Sequence, residues 1–99
     1  MDGEPKSNDL VTQARNALAN LSLALAAAGS SISHIFQLRV YVRGELAAHM
    51  PELGPVLLGY LGDRRPAITG VGVASLAAPE TLIEVEAMAR TDAVIKDRI

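Results

Sequence analysis

Along the chain, hydrophobic and polar residues first recur with the spacing of an amphipathic helix. From Leu10 to about Ala28 the apolar positions lie three or four residues apart, so they fall on one side of an α-helix. Ser7 or Asn8 can cap the first turn, because a side-chain oxygen there accepts from an unpaired backbone N–H. Gly29 favours the end of this helix, because glycine readily adopts the left-handed backbone that follows a helix. The pattern therefore predicts a first helix that stops at Gly29.

The stretch from His34 to Arg43 changes to a period of two, which is typical of a β-strand with two different faces. Its apolar face comprises Phe36, Leu38, Val40 and Val42. Its polar face comprises Gln37, Arg39, Tyr41 and Arg43. We therefore expect a strand that buries one face and leaves the other accessible.

Residues 66–89 are predicted to form two further strands joined by a turn. In the first of them, Gly70 and Gly72 share one face and leave room for a neighbouring backbone or a ligand. A turn at Pro79 reverses the chain. In the second strand, an apolar face of Ile83, Val85, Ala87 and Ala89 alternates with Leu82, Glu84, Glu86 and Met88. The pattern predicts a β-hairpin.

Between residues 45 and 62, prolines and glycines obscure the helical pattern. Pro51 and Pro55 are unfavourable inside a helix but acceptable in its first turn. We therefore predict a short turn up to His49, followed by a helix from Pro51 or Pro55 to Leu61. Its inner stripe would comprise Val56, Leu57, Tyr60 and Leu61.

The predicted order is helix, strand, helix, strand, strand, which favours an α+β fold with two helices on one face of the sheet. The connection from Arg43 to Pro66 is long enough for a right-handed parallel crossover between the first two strands. Residues 1–8 would form a polar lead-in, residues 9–90 the domain, and residues 91–99 a tail. The only apolar anchors of that tail are Val94, Ile95 and Ile99.

Composition narrows the possible functions. The 99 residues are 49% hydrophobic and 20% charged with a net charge of −2, which is typical of one small globular domain. This mixed charge gives no reason to expect nucleic-acid or membrane binding. There is no cysteine, and His34 and His49 lack clustered ligands, so we expect neither a thiolate nor a metal site. No secretory signal is visible, and the expected compartment is the cytoplasm.

The polar face of the predicted sheet carries the candidate chemistry. It would bring together Gln37, Arg39, Tyr41, Arg43, Glu84 and Glu86. One interpretation is structural, with arginines and glutamates paired on a solvated or intersubunit face. The other is functional: Arg39 or Arg43 receives a carboxylate while Glu84 positions a water molecule or a proton.

Other candidates have weaker support. Arg64 and Arg65 could bind an anion, although two adjacent charges are usually only solvated. A nucleophilic hydroxyl at Ser30 or Ser31 is unsupported, because no base stands at a recognisable spacing. Both histidines are more simply explained as surface residues.

Several motifs, in this order along the chain, resemble the Rid family of reactive-intermediate deaminases, also called RidA, YjgF or L-PSP proteins. They are QARNALANL at 13–21, AAG at 27–29, HIFQLRVYV at 34–42, GDRRPA at 62–67, and the stretch 66–89 that ends in IEVEAMA. The resemblance covers most of residues 9–89. It implies a chorismate-mutase-like α+β fold, assembled as a homotrimer with ligand clefts between subunits. Active members hydrolyse enamines and imines such as 2-aminoacrylate to keto acids and ammonia, without metal or cofactor.

This sequence departs from the family's active pattern. The arginine that grips the substrate carboxylate follows Pro-Ala in the family, and here that position is Ile68. An asparagine of the second helix aligns with Gly54, and the family's N-terminal strand pair is not recognisable before the first helix. Of the family's catalytic residues, only Glu84 carries over. The candidate substrate-binding residues are Arg39, Tyr41, Arg65, Ile68 and Gly70.

The residues leave three hypotheses open. The first is a homotrimer that binds a small, uncharged or weakly acidic metabolite with little or no deaminase activity, because isoleucine cannot donate hydrogen bonds to a carboxylate. The second is a cofactor-independent enamine or imine deaminase of altered specificity, in which Glu84 orients water and Ile68 lines an apolar pocket. The third is a truncated structural subunit whose sheet edges are completed by another chain. Nuclease activity is not expected, since no basic surface is apparent.

Overall fold

The computed structural model describes residues 9–91, so the predicted lead-in and all of the tail after Thr91 lie outside the described residues. The predicted tail anchors Val94, Ile95 and Ile99 lie outside them as well. The elements are helix α1, Leu10–Ala27; strand β1, Ile35–Arg43; helix α2, Leu46–Leu61; strand β2, Ala67–Val73; and strand β3, Ile83–Ala89. This order confirms the predicted α+β class.

The three strands form one sheet in the order β2-β1-β3. Strand β2 runs parallel to β1, as the crossover through α2 predicts, and β3 runs antiparallel to β1. The predicted hairpin of β2 and β3 is wrong, because these strands pair with opposite edges of β1. Their connection crosses the end of β1, where the Arg43 N–H donates to the Leu82 carbonyl over 2.9 Å.

Helix α1 begins one residue later than a cap at Asn8 would imply, and two residues later than a cap at Ser7 would imply. Its N-cap is Asp9, not Ser7 or Asn8, because the Asp9 carboxylate accepts from the Val11 N–H. The hydroxyl of Thr12 also donates to this carboxylate over 2.8 Å, and this bond lowers the pKa of Asp9. At the other end Gly29 has a φ of +78°, so the predicted glycine stop is confirmed.

Strand β1 contains a register shift that changes which residues face the core. The shift lies between Ile35 and Gln37 in the pairing with β3. Phe36 was predicted on the buried face, but it is 51% exposed, whereas Ile35 is buried. An extra residue in one strand of an antiparallel pair interrupts the strict alternation, and a pattern of period two cannot anticipate it.

Helix α2 is longer than predicted and continues through both prolines. It starts at Leu46 and contains Pro51 and Pro55 in its interior, so the predicted start at a proline is wrong. Each internal proline lacks an N–H donor and costs about 3 kcal/mol in a helix. Burial of a leucine stripe compensates for this cost, because Leu53, Leu57 and Leu61 all pack in the core. Val56 and Tyr60, also predicted inward, are only partly buried.

A single core lies between the helices and one face of the sheet. Its fully buried side chains come from both layers: Leu38, Val40, Val42, Leu53 and Leu61. The structure therefore confirms that both helices cover the same face. Neither α1 nor α2 has the length and hydrophobicity that a membrane span would require.

Candidate functional site

The second face of the sheet has no helix over it in the described chain, and we call it the open face. Its residues in β1 are Gln37, Arg39, Tyr41 and Arg43. The pairing register sets Arg39 opposite Glu86 and Tyr41 opposite Glu84 in β3. The same register sets Tyr41 beside Val71 in β2. The predicted polar face is therefore confirmed as one continuous surface.

Two charges on the open face have no partner within residues 9–91. The Tyr41 hydroxyl donates to Glu86 over 3.3 Å, diagonally across the two strands. Arg39 and Glu84 make no hydrogen bond or ion pair in this part of the chain, and both are exposed. A guanidinium and a carboxylate are thus held on rigid strands with their hydrogen-bonding capacity unused.

A shallow pocket of about 100 Å³ lies beside Arg39, between strands β1 and β3. Its lining is Gln37, Arg39, Glu86, Ala87 and Met88. The Arg39 guanidinium and the Glu86 carboxylate supply opposite charges, and Met88 supplies an apolar wall. By itself this pocket is smaller than the usual site for a small molecule.

Two other candidate arginines, Arg43 and Arg65, donate hydrogen bonds to backbone carbonyls. The Arg43 guanidinium donates to the Pro79 carbonyl and so ties the connection between β2 and β3 to the end of β1. Arg65 donates to the carbonyls of Gly62 and Arg64, each over 2.7 Å. The two Arg65 contacts satisfy carbonyl groups just after α2, a common role of arginine at a helix C-terminus.

The structure does not bring Ile68 and Glu84 together within one chain. Ile68 pairs with Leu38 and therefore lies on the helix-covered face, at its margin, where it is 44% exposed. Gly70 lies on that same face, and a Cβ there would be 3.0 Å from the Leu46 side chain. Gly72 approaches a neighbouring backbone, since its Cβ would lie 2.4 Å from the Gly44 carbonyl oxygen. The glycines of β2 thus accommodate the start of α2.

Sequence reasoning missed a buried polar residue that holds β3 in place. The Gln13 amide donates to the Glu80 carbonyl over 3.0 Å and accepts from the Leu82 N–H over 2.8 Å, and its side chain is buried. Gln13 therefore positions the chain just before Glu84. In the sequence, Gln13 stands three residues after Leu10 and therefore on the buried side of the predicted helix. This position could have indicated that its side chain is buried.

A histidine lies beside Ser31, for which no base is expected at a recognisable spacing in the sequence. The Ser31 hydroxyl lies 3.1 Å from His34 Nδ1, across a 3₁₀ turn at Ile32–His34. Their separation of three residues is the sequence feature that indicates this contact, because a 3₁₀ turn brings such residues together. Among residues 9–91, no group of three or more His, Cys, Asp or Glu side chains is placed to hold a metal ion.

Comparisons with known proteins agree with the fold and the sequence motifs. A family model described as Endoribonuclease L-PSP matches residues 1–91. The chain is 32% identical over 87 residues to a RutC family protein of Pyrococcus horikoshii, covering 88% of this chain and 67% of that protein. The chain therefore belongs to the L-PSP family, whose members are also called YjgF or Rid proteins.

Solved structures of this family have the same fold. A YjgF/YER057c/UK114 family member from Mycobacterium tuberculosis superposes with a TM-score of 0.79 at 33% identity, over 85% of this chain and 70% of that one. The Rid protein YyfB from Yersinia pestis gives 0.77 at 36% identity, over 89% and 68%. Family membership supports a Rid-like protein that binds small molecules.

Proposed function

We propose that this chain forms a Rid-like homotrimer that holds a small, uncharged or weakly acidic metabolite in clefts between subunits, with little or no ordinary enamine deaminase activity. The proposal depends on the identity of residue 68. This residue is Ile68, at the position where the Rid family has its carboxylate-binding arginine. Its side chain is 44% exposed at the margin of the sheet, so it is available to a ligand or a neighbouring chain.

The open face supports assembly. Val71 is 37% exposed and Met88 is 48% exposed on this face, among the charges of Arg39, Glu84 and Glu86. Exposed apolar residues ringed by charges are typical of protein interfaces. A sister chain over this face would bury them and could complete the shallow pocket beside Arg39.

Loss of the arginine explains the expected inactivity. A charge-assisted contact from a guanidinium to a carboxylate contributes on the order of 2–4 kcal/mol of affinity, and isoleucine offers no donor. Arg43 and Arg65 already donate to backbone carbonyls, which leaves Arg39 as the best remaining partner for an acid. An RNA substrate is not favoured, because the open face mixes arginines with glutamates.

The activity is tested with 2-aminoacrylate generated from serine in a coupled assay. We expect loss of the enamine at the rate measured without the protein. Turnover at rates ordinary for Rid proteins would contradict the proposal. In that case an Arg39→Ala variant that loses the turnover would identify the compensating group.

Assembly is tested by sedimentation equilibrium of the full chain. We expect three times the chain mass of 10.4 kDa. Val71→Lys on the open face should shift the mass towards that of the monomer. Leu58→Lys is the matched control, because Leu58 is 50% exposed on α2, away from the sheet. If only the control variant dissociates, the interface lies on the helices and not on the open face. A stable complex with a different protein would instead favour a subunit completed by another chain.

A deaminase of altered specificity is the second candidate, and the unpaired Glu84 favours it. Its carboxylate is exposed opposite Tyr41 and makes no hydrogen bond or ion pair within residues 9–91, so its oxygens are available to orient water. A panel of imines with apolar side chains would test this candidate. Turnover that Glu84→Gln abolishes and Glu86→Gln preserves would support it.

A further inference from the structure

A groove of about 610 Å³ lies between α1 and α2, away from the open face. Among residues 9–91, its lining comes entirely from the two helices, and its volume is within the range of small-molecule sites. On α1 the lining recurs with helical spacing at Val11, Arg15 and Leu18. On α2 it recurs at Glu52, Val56 and Gly59.

The α2 wall is built from residues that weaken a helix. Pro55 and Gly59 line the groove, and both are poorer helix formers than alanine. Within residues 9–91, a Cβ at Gly59 would meet no atom within 4 Å apart from its own helix backbone and chain neighbours, so packing in this part of the chain does not require glycine here. The space beside Gly59 is therefore free for a bound molecule to approach the helix backbone.

Charges of opposite sign stand on the two walls. Arg15 lies on α1 and has no ion pair with any residue of the described chain 9–91. Glu52 lies on α2, where one carboxylate oxygen is 3.6 Å from His49 Nδ1, and residues 9–91 give the other oxygen no hydrogen bond or ion pair. Between them the surface is apolar, with Pro55 and Val56 on the α2 side.

We propose that this groove binds a small zwitterion with an apolar side chain. Arg15 would receive its carboxylate, Glu52 its ammonium group, and the apolar part would lie against Pro55, Val56 and Gly59. The charge complementarity selects this class, because a ligand with one charge satisfies only one wall. None of these residues belongs to the open face, so the proposal is independent of the proposed function.

The test uses leucine as the zwitterionic probe in an NMR titration of the full-length, ¹⁵N-labelled protein. We expect shifts concentrated at the amides of α1 and α2 that flank the groove. Two analogues of the same shape serve as controls: 4-methylpentanoate lacks the ammonium group, and 3-methylbutylamine lacks the carboxylate. Each should bind at least about tenfold more weakly, since each loses one charge-assisted contact. Equal binding of all three, or no shift up to the solubility limit of leucine, would overturn the proposal.

Variants locate the site. Arg15→Gln and Glu52→Gln should each weaken leucine binding about tenfold, and both positions are exposed, so the fold is preserved. Gly59→Trp should abolish binding by filling the groove. Leu58→Trp is its matched control on the adjacent exposed position and should leave binding unchanged. Leucine-induced shifts that survive both charge variants would refute the assignment.

Discussion

The two faces of the sheet differ sharply although they share the same strands. In β1, Leu38, Val40 and Val42 are at most 2% exposed beneath the helices. The residues between them, Arg39 and Tyr41, are accessible on the open face. The covered face therefore supplies the stability of this small domain. The open face carries charges at Arg39 and Glu84 that make no hydrogen bond or ion pair among residues 9–91, and such charges are candidates for binding and assembly.

Polar groups on the two faces of the sheet also differ in whether they have hydrogen-bond partners. On the helix side, the buried Gln13 uses both ends of its amide to pair with the backbone before β3. On the open face, Arg39 and Glu84 have no partner within the described residues 9–91. A buried polar group must be satisfied by its own chain, whereas an exposed one can be paired with water, a ligand or another subunit.

The largest expected effect on stability distinguishes two adjacent residues of β1 that lie on opposite faces of the sheet. Leu38→Ala on the covered face should destabilise the protein by about 2–5 kcal/mol, because it creates a cavity in a fully packed core. Arg39→Ala on the open face should change the stability by less than about 0.5 kcal/mol. Urea unfolding at one fixed protein concentration measures both. Equal losses would mean that the open face is also a folding core.

A smaller loss is expected from Gly72→Ala on the covered side of β2. The new methyl group would lie 2.4 Å from the Gly44 carbonyl oxygen, and backbone must move to admit it. We expect a loss of about 1–3 kcal/mol, as for overpacked sites. Gly59→Ala is the control: within the described residues its Cβ would clash with nothing, so it should stabilise α2 by up to about 1 kcal/mol. Thermal unfolding that ranks the two variants the other way would contradict the packing described for β2.

Gln13→Leu should leave the Leu82 N–H and the Glu80 carbonyl without their partner. Burial of unpaired backbone groups costs about 1–3 kcal/mol, so a loss of that order is expected. Hydrogen exchange should show faster exchange at the Leu82 amide. Asn16→Leu is the matched control, because Asn16 is an exposed position of the same helix. Unchanged protection at Leu82 would show that Gln13 does not hold this segment.

The smallest expected effect is a pH dependence at the start of α1. The Thr12 hydroxyl bond lowers the pKa of Asp9 below its ordinary value of 3.8. The contribution of Asp9 is therefore fully present above pH 3.8 and is lost as the pH falls through the lowered, folded-state pKa. Comparison of wild type with Asp9→Ala in acid titrations should show a small difference near neutral pH that disappears at low pH. A difference that grows on acidification would have the wrong sign.

Hydrophobic periodicity, together with the positions of proline and glycine, determined the element order, the α+β class, the two faces of β3 and those of β1 from Gln37 onward. These features are local, because a strand's alternation and a helix's stripe follow from the backbone geometry of a few consecutive residues. The same patterns placed Arg39, Tyr41, Glu84 and Glu86 on one surface, and the structure confirms that placement.

Only the tertiary structure decided which strands are neighbours and what the covered face contains. Strands β2 and β3 look like a hairpin in sequence, but β1 lies between them because each pairs with a different edge of it. The helical state of Pro51 and Pro55, the exposure of Phe36 and the burial of Gln13 likewise depend on contacts between distant residues. Packing energy summed over such contacts exceeds the local preferences of single residues, and no local pattern records it.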